Sequence, residues 1–132
     1  MLAELSIRTT KRTEFVDITR LVQEQVAASK IKNGICYVYV PHTTAGVTIN
    51  EHADPDVVAD MEMMLEKLVP WRAGYAHAEG NSAAHIKTSM IGSSQMIIVQ
   101  EGRLLLGTWQ GIFFAEFDGP RSREVWVKVT AD

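Results

Sequence analysis

QMIIVQEGRLLLGTWQGIFFAEFDGPRSREVWVKVT, residues 95–130, decides the fold class. Gln95 to Val99 and Leu104 to Leu106 are apolar runs joined through Glu101-Gly102, a hairpin signal. Gly107-Thr108-Trp109-Gln110-Gly111 interrupts the pattern, Ile112 to Phe117 resumes it, and Asp118-Gly119-Pro120 turns the chain again. In the last run Val125, Val127 and Val129 alternate with Glu124, Lys128 and Thr130, the period of two that turns one face inward. Strands joined by such short turns pair antiparallel, because a parallel return needs a crossover of about a dozen residues or more. With helices upstream, the class is α+β rather than doubly wound.

Upstream, residues 2–10 suit an edge strand, Thr9 to Thr13 a turn, and Phe15-Val16 a short strand. Asp17 or Thr19 caps a helix with Ile18, Leu21, Val22 and Val26 on one face, and Asn33-Gly34 ends it. Ile35 to Val40 is apolar on both faces, so it is expected as a central strand covered on each side. Asp54-Pro55 starts a second helix whose core stripe is Val57, Met61, Met64, Leu65 and Leu68, closed by Pro70. Trp71 to Ser82 has no period, and Asn81 or Ser82 caps a short helix, Ala83 to Met90, stopped by Gly92. No repeat, low-complexity tract or linker divides the chain, so residues 1–132 read as a single domain.

The totals narrow the function. Thirteen basic against 16 acidic residues give a net charge of −3, which argues against a nucleic-acid or anionic-membrane partner. The single Cys36, within an apolar run, rules out an intramolecular disulfide and fits a reducing, cytoplasmic compartment. No stretch reaches the ~20 apolar residues of a membrane span, and the first residues lack a signal-peptide core.

The polar residues gather beside the strands. The stretch Tyr37 to Asp56, YVYVPHTTAGVTINEHADPD, delivers His42, Thr43 and Thr44 after one strand and Glu51, His52 and Asp54 after the next. Of the four histidines, His42, His77 and His85 make a candidate divalent-metal shell, with loop histidines that merely hydrogen-bond as the alternative. His52 belongs to this polar group or equally to the surface, Asp54 has a sufficient task as a helix cap, and Glu51 is left for acid/base or metal-bridging work. Glu79 is either a ligand or a loop solubiliser. Arg121, Arg123, Lys87 and Ser89, with the amides of the helix starting near Ser82, are candidates for holding an anion. Trp109 and Gln110 lie between glycines that let a ligand approach, so the Trp109 ring either stacks on that ligand or belongs to the core.

PHTTAGVTINEHADPDV (41–57), HAEGNSAAHIKTSMIG (77–92) and GRLLLGTWQGIFFAEFDGPRSREV (102–125) resemble the YjbQ family of small proteins, some described as secondary thiamine-phosphate synthases. With the connecting segments, the resemblance covers nearly the whole chain. It implies a compact α+β domain with an antiparallel sheet closed or nearly closed into a barrel-like core, two to three helices packed on it, a homotrimer, and a polar pocket at the subunit boundary. The family's motif residues match at His42, Thr43, Thr44, Glu51, Asp54, His77, Asn81, His85, Ser89, Trp109, Gln110 and Arg121. The expected function is a transferase joining a pyrimidine methyl pyrophosphate to a thiazole phosphate. In it Arg121, Arg123, Lys87 and Ser89 hold phosphates, Trp109 contacts a ring, and Thr43, Thr44, Asn81 and Gln110 complete the substrate contacts. His42, His77 and His85 hold zinc or magnesium or donate to the leaving group, Glu51 serves as base, and no organic cofactor is expected. Alternatives are a metal-dependent hydrolase of a small phosphate or amide and a non-catalytic trimer that binds an anionic metabolite.

Overall fold

A computed structural model describes all 132 residues. In chain order they form β1 (Leu2–Arg8), β2 (Glu14–Asp17), α1 (Thr19–Ser29), β3 (Gly34–Tyr39), β4 (Ala45–Glu51) and α2 (Pro55–Leu68). Then come α3 (Ser82–Ile91), β5 (Ser94–Gln100), β6 (Arg103–Leu104), β7 (Gln110–Glu116) and β8 (Ser122–Ala131). Every ladder is antiparallel, as the short late turns require. A five-stranded sheet, ordered β1-β8-β3-β5-β6, curls into a half-barrel, and a three-stranded sheet, β2-β7-β4, covers its open side. The nearly closed α+β core expected from the sequence is thus built from two sheets.

Between the sheets the alternating residues meet. Cys36, Val38 and Val40 from β3 and the loop after it, and Val125, Val127 and Val129 from β8, pack against Val47, Ile112 and Phe114. β7 is buried on both faces: Ile112 and Phe114 enter this core, while Phe113, Ala115 and the following Phe117 join Phe15 and Ala84 in a second cluster. The Cys36 thiol is fully buried, and desolvation pushes its pKa up to about 11. Native protein should therefore remain unmodified by iodoacetamide at pH 8, while denatured chain is alkylated; mass spectrometry reads the difference.

Several local expectations change. α1 ends at Lys30, left-handed at φ 60, rather than at Asn33-Gly34. Gly34 instead opens β3, where an added Cβ would lie 1.9 Å from the Thr130 carbonyl oxygen of β8, so a side chain is excluded by close approach. Of the two candidate caps for α1 it is Asp17 that accepts, from Thr19 N–H at 2.9 Å and the Thr19 hydroxyl at 2.6 Å. Leu21 is 39% exposed, so Ile18, Val22 and Val26 carry the buried face. The hairpin at Glu101-Gly102 forms with both residues at positive φ, the geometry that matches the twist of paired strands. β6 is only Arg103–Leu104, shorter than the apolar run.

The methionine stripe of α2 is only partly core. Asp54 caps the helix as expected, accepting from Asp56 N–H at 2.9 Å. Val58, Met61 and Leu65 pack on the second cluster, whereas Met64 and Leu68 face outward. β3 departs further. Its inner residues are buried, but Tyr37 and Tyr39 are 44% and 47% exposed on the outer side. With Met96, Ile98 and Leu105 they make an apolar sheet face that nothing in this chain covers, contrary to the expectation of cover on both sides. No helix is long and apolar enough to cross a membrane.

Candidate functional site

The candidate residues divide between the two ends of β4. At its start, the loop containing His42, Thr43 and Thr44 lies beside the loop between β7 and β8, because Ala45 pairs with Glu116 and Tyr39 with Trp126. At its finish, Glu51 pairs with Gln110. Six strand steps separate Ala45 from Glu51, about 20 Å. His42 and Glu51 therefore do not share a site within one chain.

The first end is held by a buried ion pair. Arg123 Nε donates to Glu116 Oε1 at 2.8 Å, and Nη2 donates to Glu116 Oε2 and to the Thr44 hydroxyl at 2.7 Å. Thr9 donates to Glu116 at 2.8 Å, and Asp118 N–H at 2.9 Å. Burial works to raise the Glu116 pKa, but these hydrogen bonds and the Arg123 charge outweigh it and hold the carboxyl below its ordinary value. Arg123 and Thr44 are consequently structural, not substrate contacts: at 4% and 5% exposure their polar atoms already have partners. Lys87 is likewise 2% exposed, with its ammonium 2.9 Å from Glu66. It ties α3 to α2 instead of reaching an anion. Ser89 donates to the His85 carbonyl within its own helix.

His42 accepts from Glu124 N–H through Nε2 at 2.9 Å, so that nitrogen is already committed. Its pKa is lowered by burial and then by the Arg123 charge, against smaller opposing effects of Glu116 and Glu124. The His77 and His85 rings meet edge to face, 5.5 Å between centroids, with Glu79 4.0 Å from His77. No three His, Cys, Asp or Glu side chains converge as a metal shell, so the His42, His77, His85 triad is not assembled in one chain.

What this end does offer is a candidate anion cradle. Arg121 donates from Nε to the Asp118 carbonyl at 3.0 Å and from Nη2 to its carboxylate at 3.1 Å, yet stays 49% exposed. Asn81 donates to the same carboxylate at 2.9 Å, which brings the start of α3 alongside; its Oδ1 is buried and unpartnered. The Asn81 side chain does not cap α3; its carbonyl instead accepts from Ala84 N–H at 3.0 Å. Asp118 organises this cluster without having been a candidate; its place immediately before the Gly-Pro-Arg turn was the available signal.

At the other end Glu51, expected as an acid/base, has a structural task. Its Oε2 accepts from Ala53 N–H at 3.1 Å and Asp54 N–H at 3.2 Å, shaping the turn into α2. Gln110 Oε1 closes the Gly107 turn at 2.8 Å. Trp109 is 62% exposed and so is not a core aromatic. His52 is not isolated on the surface either: its Nδ1 lies 2.8 Å from Asp17.

Residues 3–132 match the family model described as UPF0047 protein YjbQ-like. The chain belongs to this YjbQ-like family. It is 56% identical to a UPF0047 protein of Methanocaldococcus jannaschii over 100% of this chain and 96% of that one. It is 53% identical to UPF0047 protein YugU of Bacillus subtilis, over 98% of each. A crystal structure of a YjbQ/UPF0047 family protein from Clostridium acetobutylicum superposes with a TM-score of 0.96 at 54% identity, covering 97% and 99% of the two chains. A YbjQ-like protein of Sulfolobus solfataricus, 33% identical, also gives 0.96 over 100% of this chain and 97% of that one. These YjbQ-like relatives bear family names and name no reaction.

Proposed function

We propose that the chain is a cytoplasmic transferase of the thiamine-phosphate-synthase type, joining a pyrimidine methyl pyrophosphate to a thiazole phosphate with release of pyrophosphate. The half-exposed Arg121 guanidinium, fixed by Asp118 beside Asn81 and the start of α3, carries this reading. A planar, pre-oriented cation beside the positive end of a helix suits a phosphate whose charge grows as its bond to carbon breaks. His85 lies in the first turn of α3 and, with Ser82 and the preceding His77, lines an open pocket, while Thr43 is exposed on the loop before β4; this reading assigns all of them to the anion's surroundings. The exposed Trp109 would meet a substrate ring only if it came from another copy, since it sits at the far end of β4. One chain's donors do not make a resident metal shell, so zinc or magnesium enters this reading only as the companion of the pyrophosphate.

The same reading includes a homotrimer, supported by the outer face of Tyr37, Tyr39, Met96 and Ile98. Light scattering should give about three chain masses for the wild type and a smaller particle for Ile98→Glu; a monomeric wild type would remove the trimer from the proposal.

Purified protein given both substrates should form thiamine phosphate and pyrophosphate. Arg121→Ala should lower kcat/KM by about 10²–10³, the usual cost of losing a transition-state donor, while leaving thermal stability close to wild type. Failure of the wild type both to turn over and to rescue a host lacking thiamine-phosphate synthase overturns the assignment.

A further inference from the structure

His52 and Asp17 lie outside the anion cradle and outside every family motif position carried over above. The pair is unusually well fixed for surface residues. His52 N–H donates to the Trp109 carbonyl at 3.0 Å, and its ring rests on Gly111, where an added Cβ would come within 2.7 Å of three of its atoms. Nδ1 meets Asp17 Oδ2 at 2.8 Å, while Asp17 Oδ1 is held by the amide and hydroxyl of Thr19. Burial pulls the Asp17 carboxyl upward, but the Thr19 and His52 hydrogen bonds prevail and keep it below its ordinary value. In the neutral imidazole an ionised Asp17 selects the tautomer with the proton on Nδ1, which leaves Nε2 as the acceptor, with no hydrogen-bond partner in the chain.

His52 and Asp17 both line an open groove of about 740 Å3, within the size range of small-ligand sites. Leu104 and Leu106 supply an apolar side, and Arg20 and Glu24 of α1 the charged side. The Arg20–Glu24 pair, 3.4 Å apart and well exposed, is a weak surface pair that leaves Arg20 free to turn to a new anion. Glu51, the other nearby acid, has Oε2 turned to the amides of the α2 turn.

We propose that His52 and Asp17 form a second, hydrolytic site that cleaves small esters whose apolar part seats against Leu104 and Leu106. A water held by Nε2 attacks the ester carbon, and its proton passes to Nε2 as the new C–O bond forms. Asp17 steadies the resulting imidazolium, and Arg20 is the cation available to the oxyanion. Collapse breaks the bond to the leaving alkoxide, which takes the proton from Nε2. Acid and alcohol result, with no redox partner.

A purely structural pair, tying the end of β4 to the start of α1, makes a different prediction, and His52→Asn separates the two. The Asn amide keeps a donor toward Asp17 where Nδ1 stood but removes the Nε2 acceptor. With p-nitrophenyl acetate, kcat/KM should fall at least tenfold in His52→Asn with an unchanged melting temperature. Asp17→Asn should also be slower. Retention of the wild-type rate in His52→Asn overturns the proposal. A second measurement needs no variant to fold: wild-type protein must exceed an equal concentration of N-acetylhistidine amide by at least tenfold, and a rate no greater also overturns it. The transferase assay is independent of both results.

Discussion

Arg123→Ala should destabilise the protein by about 3–5 kcal/mol, lowering the melting temperature by roughly 10 °C or more. The cost does not come from the attraction alone. Glu116 has no exposed surface, so losing Arg123 leaves a carboxylate in the core with only Thr9 and the Asp118 amide for company. The loop carrying Thr44 loses its tie to β8 at the same time. Replacing both ions, as Glu116→Met with Arg123→Leu, should cost less than the single change, because no orphan charge remains. The pH dependence supplies a second signature. In the wild type the Glu116 pKa is depressed, so the native state binds fewer protons than the unfolded chain near the ordinary glutamate value of 4.5. Its contribution is complete above that value and is lost as pH falls through the lower folded value. In Arg123→Ala, burial without the cation favours the neutral acid, and the deficit relative to wild type should narrow on acidification. Urea unfolding at pH 7 and pH 4 reads both effects; equal pH profiles would remove the ion pair from this role.

Phe114→Ala should cost about 3–5 kcal/mol, and Phe113→Ala about 1–2 kcal/mol less, although the two are adjacent on β7. Phe114 is fully buried in the core between the sheets, where residues of both sheets and of α1, themselves fully buried, resist collapse into the space left behind. Phe113 lies under α2, which touches the second cluster only through partly buried side chains and can settle into the gap. Chemical denaturation of both variants gives the comparison, and a Phe113 loss equal to that of Phe114 would contradict it.

The α+β class and most strands were legible because they rest on local alternation and turn chemistry, as at β8 and the Glu101-Gly102 hairpin. The fate of the charges follows from the phase of the strands. Arg123 falls in step with Val125, Val127 and Val129, and Glu116 with Ile112 and Phe114, so each had to point inward and opposite charges had to meet. Lys87 similarly follows Ala83 and Ala84 on the buried side of α3. Separation of His42 from Glu51 follows from extended geometry: an intervening strand drives two neighbouring motifs apart. Other features lay beyond reading along the chain. Asn33-Gly34 and Lys30 both can hold a left-handed stop, and only the approach of β8 to Gly34 decides between them. The apolar outer face of β3 announces a cover but does not say whether a helix of this chain or another molecule provides it.

α2 carries Met63, Met64 and Leu68 largely in water and has no fully buried residue. Its attachment is therefore a thin one, through Val58, Met61 and Leu65, the Asp54 cap and the Lys87–Glu66 pair. Opening this helix alone exposes far less apolar surface than opening β7, so it requires only a fraction of the global unfolding free energy. Two tiers of cooperativity are therefore expected, a durable pair of sheets and a helix that opens on its own. Amide hydrogens of α2 should exchange with solvent deuterium well before those of β7, and proteases should find their first cut there.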